Sequence, residues 1–248
     1  MSDDARVTVE RFETPEALAE RAADLFAEAA AEACAARGRF RVALAGGRTP
    51  THLHQLLGTP PWVDLVPWAS TDLFFGDERC VHECSPERND LVAREALFAV
   101  VDLPPENVHR IDTYRRDGAE AYEGVVRERF GAGPGEIPAF DLVFLGIGSD
   151  GHTASLFPGR PEVDEEERLV VKVVGAPQQP PDRITMTLPL LNRARLVVFL
   201  ATGEKKAAVV ARTVGGDRAL PAARVAPAEG RLVWLLDAAA AAGIAGPR

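Results

Sequence analysis

The sequence contains few cysteines and no long hydrophobic run. Three cysteines in 248 residues are an odd number, so they do not predict the disulfide framework of a small secreted protein. No segment approaches the roughly 20 consecutive apolar residues that span a bilayer. The first twelve residues, MSDDARVTVERF, lack the basic region and the apolar core of a secretory signal. We therefore expect a cytoplasmic protein with no membrane partner.

Basic residues are outnumbered by acidic ones. Lysine and arginine number 28 against 37 aspartates and glutamates, which gives a net charge of -9. This balance argues against a nucleic-acid partner. A small anionic ligand remains compatible with it, because a few cations in one cleft reverse the local potential.

The composition is that of an ordinary globular protein, with 46% hydrophobic and 26% charged residues. The length allows one large α/β domain or two small ones. The sequence shows neither an internal repeat nor a long linker, so we predict a single domain over residues 1–248.

Strand-like and helix-like patterns alternate along the chain. Strands are predicted at 6–12, 40–47, 70–79, 108–111, 140–146 and 231–237, with three further β-rich runs between 168 and 201. Helices are predicted at 14–38, after Pro50, at 85–101, 117–131 and 203–216, and in the alanine-rich segment after 237. This alternation predicts a mostly parallel sheet with helices on both faces, and the crowded 168–201 runs predict some antiparallel pairing.

Ligands of such sheets bind beyond the carboxyl ends of the strands, where a glycine-rich motif, AGGRTP (45–50), follows the second predicted strand. Glycines let the backbone approach an oxyanion, and the free N–H groups of a helix N-terminus bind phosphate. The spacing is neither a Walker loop nor GxGxxG, so no nucleotide is indicated. A purely steric reason for the two glycines stays open.

The strongest motif is GIGSDGHTAS (146–155), which directly follows the apolar run FDLVFL. The glycines permit a tight turn, which would lift His152 to the strand end with Asp150 near enough to fix its tautomer. Histidine titrates near neutrality and can take a proton from water. A lone histidine is more often structural, but a DGH turn flanked by glycines favours function. GHTAS is not the GxSxG elbow of a serine hydrolase.

Charged residues also lie at the ends of two other predicted strands and at the start of a third. In FGDER (75–79), Asp77, Glu78 and Arg79 form either a surface salt bridge or a group that orients a polar substrate. In TGEKK (202–206), a lysine at a helix start is unfavourable for the helix dipole unless an anion lies there. Arg183, at the start of RITMTLP, is interpreted as either a salt bridge or an anion contact.

A metal site is not predicted. Cys80, His82 and Cys84 carry soft ligands, but their spacing is not a standard finger or ribbon pattern and no second cluster exists. Structural zinc usually needs four ligands.

Together the four motifs resemble those of the 6-phosphogluconolactonases, a branch of the glucosamine-6-phosphate isomerase superfamily. The most specific segments are FDLVFLGIGSDGHTASLFPG, RITMTLPLLN and FLATGEKKAAVV. The resemblance implies a Rossmann-like α/β sheet with a smaller β element. It also implies hydrolysis of 6-phospho-D-glucono-1,5-lactone to 6-phospho-D-gluconate, in the oxidative pentose phosphate pathway, with no metal or organic cofactor.

The resemblance also implies roles for particular residues. His152 would be the general base on a water molecule, Asp150 would hold its imidazole, and Arg79, beside Asp77, would face the developing oxyanion. The residues implied to bind phosphate are Gly46, Gly47, Arg48, Thr49, Arg183 and Lys206. Lys206 is preferred to Lys205 because the family's lysine stands three residues after the glycine, here Gly203. Arg48 departs from the family, which commonly has serine at this position.

Two other functions remain as alternatives. The deaminase branch typically has tyrosine after its Asp-Glu pair and glutamate five residues after the histidine, where this chain has Arg79 and Phe157. A non-catalytic sugar-phosphate-binding protein would bind without turnover. For the lactonase we expect a small-molecule sugar-phosphate lactone as the partner, and a monomer or weak homodimer.

Overall fold

The computed structural model describes residues 6–244, and within them a six-stranded parallel sheet forms the centre of the fold. Its strands, in spatial order, are β1 (Val7–Phe12), β9 (Arg231–Asp237), β8 (Leu196–Ala201), β5 (Leu142–Gly146), β2 (Phe40–Leu44) and β3 (Thr71–Phe75). A second, antiparallel sheet has the order β4 (Asp77–Arg79), β7 (Arg183–Met186) and β6 (Val170–Val173). The predicted fold class, a mostly parallel α/β sheet with a smaller β element, is confirmed.

Helices cover both faces of the parallel sheet, which explains why its inner strands are almost continuously apolar. The α-helices are α1 (Pro15–Arg37), α2 (Arg48–Leu57), α3 (Trp62–Leu65), α4 (Asn89–Ala93), α5 (Gly118–Phe130), α6 (Leu188–Leu191), α7 (Ala207–Val214) and α8 (Ala238–Ala241). One hydrophobic core extends from Leu18 on α1 to Ala241 on α8. No helix within residues 6–244 combines the length and apolar character needed to cross a membrane.

The first helix has the ends predicted from its sequence. The Thr14 hydroxyl accepts a hydrogen bond from the Ala17 N–H at 3.2 Å, which caps the N-terminus. Gly38 ends the helix with φ of 74°, a left-handed conformation that glycine adopts without a Cβ penalty.

Residues 70–79, predicted as one strand, form two strands in different sheets. Gly76 separates them: its N–H donates to the Leu44 carbonyl of the parallel sheet at 3.0 Å, and its carbonyl accepts from Met186 at 2.8 Å. This crossover places β4, with Asp77 and Arg79, beside the carboxyl ends of β2 and β5.

Two other boundaries differ from the prediction. Residues 108–111 contribute only an isolated bridge between Val108 and Leu73, because the segment meets the edge strand β3 at a single point. The helix predicted at 85–101 begins at Asn89 and continues as a π-helical turn, Arg94–Phe98. The antiparallel pairing predicted among the runs between 168 and 201 is confirmed for β6 and β7, while β8 joins the parallel sheet.

Candidate active site

A cavity of about 280 Å³ lies at the carboxyl ends of β2 and β5, and it is lined by seven of the predicted site residues. These are Gly46, Gly47, Asp77, Arg79, His152, Arg183 and Lys206. Arg48 and Thr49 line an adjoining pocket of about 610 Å³, which shares Gly46, Gly47 and Lys206 with the first. The exposed Lys205 lines neither of these pockets. Chain topology therefore brings nine of the ten predicted residues to one connected depression, while Asp150 lines neither pocket and contacts His152 instead.

The DGH turn is closed by its own backbone. The Gly148 N–H donates to the His152 carbonyl at 2.8 Å, and the Gly151 N–H donates to the Gly148 carbonyl at 3.0 Å. Gly151 has φ of 85°. A Cβ at Gly148 would lie 2.0 Å from the His152 Nδ1 atom. Glycine is thus required at 148 because the imidazole packs directly on its backbone.

Asp150 fixes the orientation of the His152 ring. Its Oδ1 lies 2.6 Å from Nδ1 and 3.2 Å from the backbone nitrogen of His152. Burial opposes ionisation of Asp150, but the hydrogen bonds from His152 outweigh it and lower the pKa of this carboxyl to about 2. An ionised carboxylate only accepts hydrogen bonds, so Nδ1 carries the proton and Nε2 is the basic nitrogen. The Phe157 ring supports the imidazole at a centroid distance of 4.5 Å.

Asp77 and Arg79 reach the cavity from β4. Asp77 is held by neutral donors: the Ser155 hydroxyl lies 2.6 Å from Oδ2, and the Asn89 amide lies 3.2 Å from Oδ1. The Arg79 guanidinium donates to the Glu87 carbonyl. Its buried Nε has no hydrogen-bond partner among residues 6–244. Arg79 therefore offers an uncommitted donor next to a well-anchored carboxylate.

Glu78, between these two residues, points away from the cavity lining and holds β4 to the start of α4. Its carboxylate accepts backbone N–H bonds from Arg79, Asn89 and Asp90 at 2.8, 2.9 and 2.8 Å. Burial raises the pKa of Glu78 to about 7 in spite of these donors. Glu78, the fourth residue of the FGDER motif, thus has a structural role.

The glycine-rich loop is held by Asn89 and Thr202, neither of which was predicted as a site residue. The Asn89 amide packs on Gly46 so closely that a Cβ there would lie 1.7 Å from Asn89 Oδ1. On the other side, the Thr49 and Thr202 hydroxyls are 2.8 Å apart, which joins the loop to the end of β8. Gly47, with φ of 104°, leads into α2. The loop is therefore clamped from two neighbouring elements.

The cationic side chains of Lys206 and Arg48 lie close to each other beside this loop. The Lys206 ammonium donates to the Ile147 carbonyl at 2.6 Å. Burial lowers the pKa of Lys206; Asp150 raises it, and the neighbouring charge of Arg48 lowers it further. Repulsion between two cations favours an anion bound between them.

Arg183 was predicted as a salt bridge or an anion contact, but its hydrogen bonds within residues 6–244 go to uncharged oxygens. Its Nε donates to the Pro180 carbonyl at 2.8 Å, and its Nη2 lies 3.2–3.3 Å from the carbonyls of Gln178 and Gln179. Burial lowers the pKa of this arginine. The guanidinium lies in the cavity wall and holds the 174–182 loop in place, while its phosphate contact stays a prediction.

Gln178 is the main lining residue that the sequence did not reveal. Its Nε2 donates to Asp150 Oδ2 at 3.1 Å. It lies in APQQPPD (176–182), a segment whose composition predicts only a loop. Its place at the cavity depends on pairing of β6 with β7, which no local pattern specifies.

Within residues 6–244, no three His, Cys, Asp or Glu side chains come together in a way that could hold a metal ion. Cys80 and Cys84 are free thiols.

Residues 13–234 match a family described as glucosamine-6-phosphate isomerases/6-phosphogluconolactonase. Similar proteins include the 6-phosphogluconolactonase of Streptomyces coelicolor, 41% identical over 246 residues, which cover 92% of this chain and 94% of that protein. The 6-phosphogluconolactonase of Rattus norvegicus is 41% identical over 236 residues, which cover 93% of this chain and 91% of that protein.

Solved structures of 6-phosphogluconolactonases are also similar to this chain. The 6-phosphogluconolactonase of Trypanosoma brucei has a TM-score of 0.83 at 28% identity, covering 97% of this chain and 99% of that one. The 6-phosphogluconolactonase of Thermotoga maritima has a TM-score of 0.81 at 28% identity, covering 94% of this chain and 100% of that one. The similarity thus extends over nearly the full length of each protein.

Proposed function

This chain belongs to the family of glucosamine-6-phosphate isomerases and 6-phosphogluconolactonases, and we propose that it hydrolyses 6-phospho-D-glucono-1,5-lactone to 6-phospho-D-gluconate in the oxidative pentose phosphate pathway. One observation carries the proposal. His152, whose ring is held by Asp150, and the cation-flanked glycine loop line adjoining parts of one depression. A lactone with a phosphate at its far end presents the two groups that such a depression would bind.

His152 acts as the general base. With Nδ1 engaged by Asp150 at 2.6 Å, its Nε2 takes a proton from water as the water oxygen attacks the lactone carbonyl carbon. The tetrahedral intermediate then collapses, the ring C–O bond breaks, and the imidazolium returns its proton to the departing ring oxygen. Positioned acid–base catalysis of this kind contributes typically ~10²–10⁴-fold in rate.

Arg79 stabilises the developing oxyanion. A preorganised donor aimed at the position of new charge is worth most where water is excluded, and the buried Nε of Arg79 has no hydrogen-bond partner within residues 6–244. Asp77, whose carboxylate lines the same cavity, accepts a hydrogen bond from a sugar hydroxyl and so orients the ring relative to His152.

The phosphate lies on the glycine loop. Backbone N–H groups of Gly46 to Thr49 at the start of α2 donate to its oxygens, as helix N-termini do for other phosphates. Lys206 and Arg48 neutralise its charge, which relieves their mutual repulsion. Arg183 completes the clamp from the cavity wall.

The deaminase alternative receives no support from the histidine's surroundings. At the position where that branch has its glutamate, the Phe157 ring packs against the His152 imidazole and is fully buried. An apolar ring there supplies no carboxylate for proton transfer during isomerisation.

The decay of fresh lactone tests the function. Glucose-6-phosphate dehydrogenase generates the lactone, and its disappearance is followed with and without this protein. We expect acceleration by the wild-type protein and a loss on the order of 10²-fold or more in His152→Ala. The exposed His82 gives a matched control, His82→Ala, which should keep full activity. Saturable binding of the sugar phosphate without any acceleration would instead support a non-catalytic binding protein.

A further inference from the structure

The hairpin loop between β6 and β7 brings one neutral side chain to the Asp150–His152 pair. Residues 174–182 connect the two strands of the small sheet, and Gln178 lies near the middle of this loop at the cavity wall. The loop is closed at its base by the Ala176 N–H, which donates to the Pro181 carbonyl at 2.7 Å. The position of Gln178 is therefore set by the fold of the loop.

Arg183, the first residue of β7, anchors this loop. The guanidinium, on a residue that is only 4% exposed, donates to the backbone carbonyls of Gln178, Gln179 and Pro180 at 2.8–3.3 Å. These bonds turn the carbonyls of three successive residues towards Arg183. The Gln178 carboxamide is left to reach Asp150.

The carboxamide completes the hydrogen bonding of Asp150. Oδ1 of Asp150 accepts from His152 at 2.6 Å, and Oδ2 accepts from Gln178 Nε2 at 3.1 Å. Gln178 Nε2 also lies 3.4 Å from His152 Nδ1, but Nδ1 already donates to Asp150 and does not accept. The carboxamide consequently acts on the carboxylate and only through it on the imidazole.

We propose that Gln178 is a positioning residue, which holds the Asp150 carboxylate in the rotamer that keeps the His152 proton on Nδ1. Without this donor, one oxygen of a carboxylate that is 35% exposed loses its protein partner, and the side chain can turn towards solvent. The kinetic part of this inference rests on the proposed lactone hydrolysis. The tautomer part does not.

The charge of residue 178 matters because many charged groups already face this cavity. The charged groups that line it are Asp77 on β4 and the cations Arg79, Arg183 and Lys206, and Asp150 lies directly behind two further lining residues, His152 and Gln178. A neutral donor at 178 orients Asp150 without adding to this set. A cationic donor would orient it equally well but would disfavour the imidazolium form of His152.

Two substitutions separate orientation from charge. Gln178→Met removes the donor at nearly constant volume, and we expect roughly a tenfold loss of kcat with KM changed less than about threefold, because orientation and not binding is lost. Gln178→Lys keeps a donor and adds a positive charge, so kcat should be largely restored. The acidic limb of the kcat/KM profile should then move to lower pH by about half a unit. Gln179→Met is the matched control on the same loop and should match the wild-type protein.

Long-range ¹H–¹⁵N spectra of the imidazole nitrogens supply a readout that needs no substrate. We expect one tautomer, protonated on Nδ1, in the wild-type protein and a mixture of tautomers in Gln178→Met. An unchanged tautomer together with unchanged kcat in Gln178→Met would overturn the inference, and so would a rise in KM alone, which would make Gln178 a substrate contact. If the wild-type protein did not hydrolyse the lactone, the proposed function would fail while the spectra still tested the positioning role.

Discussion

Gly46 provides the most direct test of how the phosphate loop is held. The three atoms nearest to a Cβ built at this position all belong to the Asn89 amide, with Oδ1 at 1.7 Å, Cγ at 2.4 Å and Nδ2 at 2.9 Å. Contacts below 3.0 Å are essentially never made by real Cβ atoms. In Gly46→Ala, either the loop or the Asn89 side chain must therefore move by more than about 1 Å.

Both movements damage the site. A shift of the loop displaces the backbone donors proposed for phosphate, and a shift of Asn89 breaks its hydrogen bonds to the Asp77 carbonyl and carboxylate, at 2.8 and 3.2 Å. Misplacement by about 1 Å can cost on the order of 10²-fold in rate. We therefore expect kcat/KM of Gly46→Ala to fall by roughly that factor in the lactone decay assay.

A double substitution distinguishes this clash from other effects of the added methyl group. In an Asn89→Ala background the obstructing amide is gone, so adding Gly46→Ala should cost less than about threefold further, a strong departure from additivity. Gly124→Ala is the matched control, because a Cβ at Gly124 meets nothing within 4 Å and alanine favours helix. If the double variant lost activity as the product of the two single losses, the reasoning from the Asn89 contact would be refuted.

Two further predictions concern charge. Lys206→Met should raise KM for the lactone by about tenfold or more with a smaller effect on kcat, because the ammonium is proposed to bind a group remote from the reacting carbon. Lys205→Met, at the exposed neighbouring residue, should change neither constant. Equal effects of the two substitutions would remove Lys206 from the proposed phosphate site. Burial raises the pKa of Glu78 from 4.5 to about 7. Between these two pH values the native protein keeps a proton that the unfolded chain releases. The contribution of Glu78 to the free energy of unfolding therefore falls as pH rises from about 4.5 to about 7. The difference in free energy of unfolding between wild type and Glu78→Gln should therefore shift against the wild type by on the order of 2 kcal/mol between about pH 5 and about pH 7.5, measured by urea denaturation; a difference that is the same at both pH values would contradict the assignment.

The parts of the fold that sequence alone predicts are those with local causes. Continuous apolar runs mark β2, β5, β8 and β9, because strands covered on both faces need apolar side chains on both. The DGH turn is equally local, since Gly148, Asp150, Gly151 and His152 lie within five residues and contact one another directly. The imidazole and its carboxylate partner were predictable for this reason.

The supporting contacts have long-range causes and were not predictable. Ser155 meets Asp77 across 78 positions, and Gln178 meets Asp150 across 28. Both contacts require the small sheet to pair β4 with β7 and β7 with β6. The sequence predicted antiparallel pairing among the 168–201 runs, but the continuous pattern of residues 70–79 concealed β4 as the third strand, because Gly76 marks the crossover without a proline or a charge.

The order of the parallel strands explains why the proposed base lies between the segments proposed to bind phosphate. β5 lies between β2 and β8, so its DGH turn is flanked by the glycine loop that follows β2 and by the segment with Lys206 that follows β8. Parallel strands deliver all three connections to the same edge of the sheet. Ile147, directly after β5, accepts the Lys206 hydrogen bond at 2.6 Å, which ties the cation to the same turn that carries the base. A ligand whose anionic group contacts the β2 and β8 connections therefore lies at the end of β5, beside the turn that carries His152. The same reasoning predicts that an unphosphorylated lactone would lose binding at the pocket lined by Arg48 and Thr49 while the Asp150–His152 pair stayed intact.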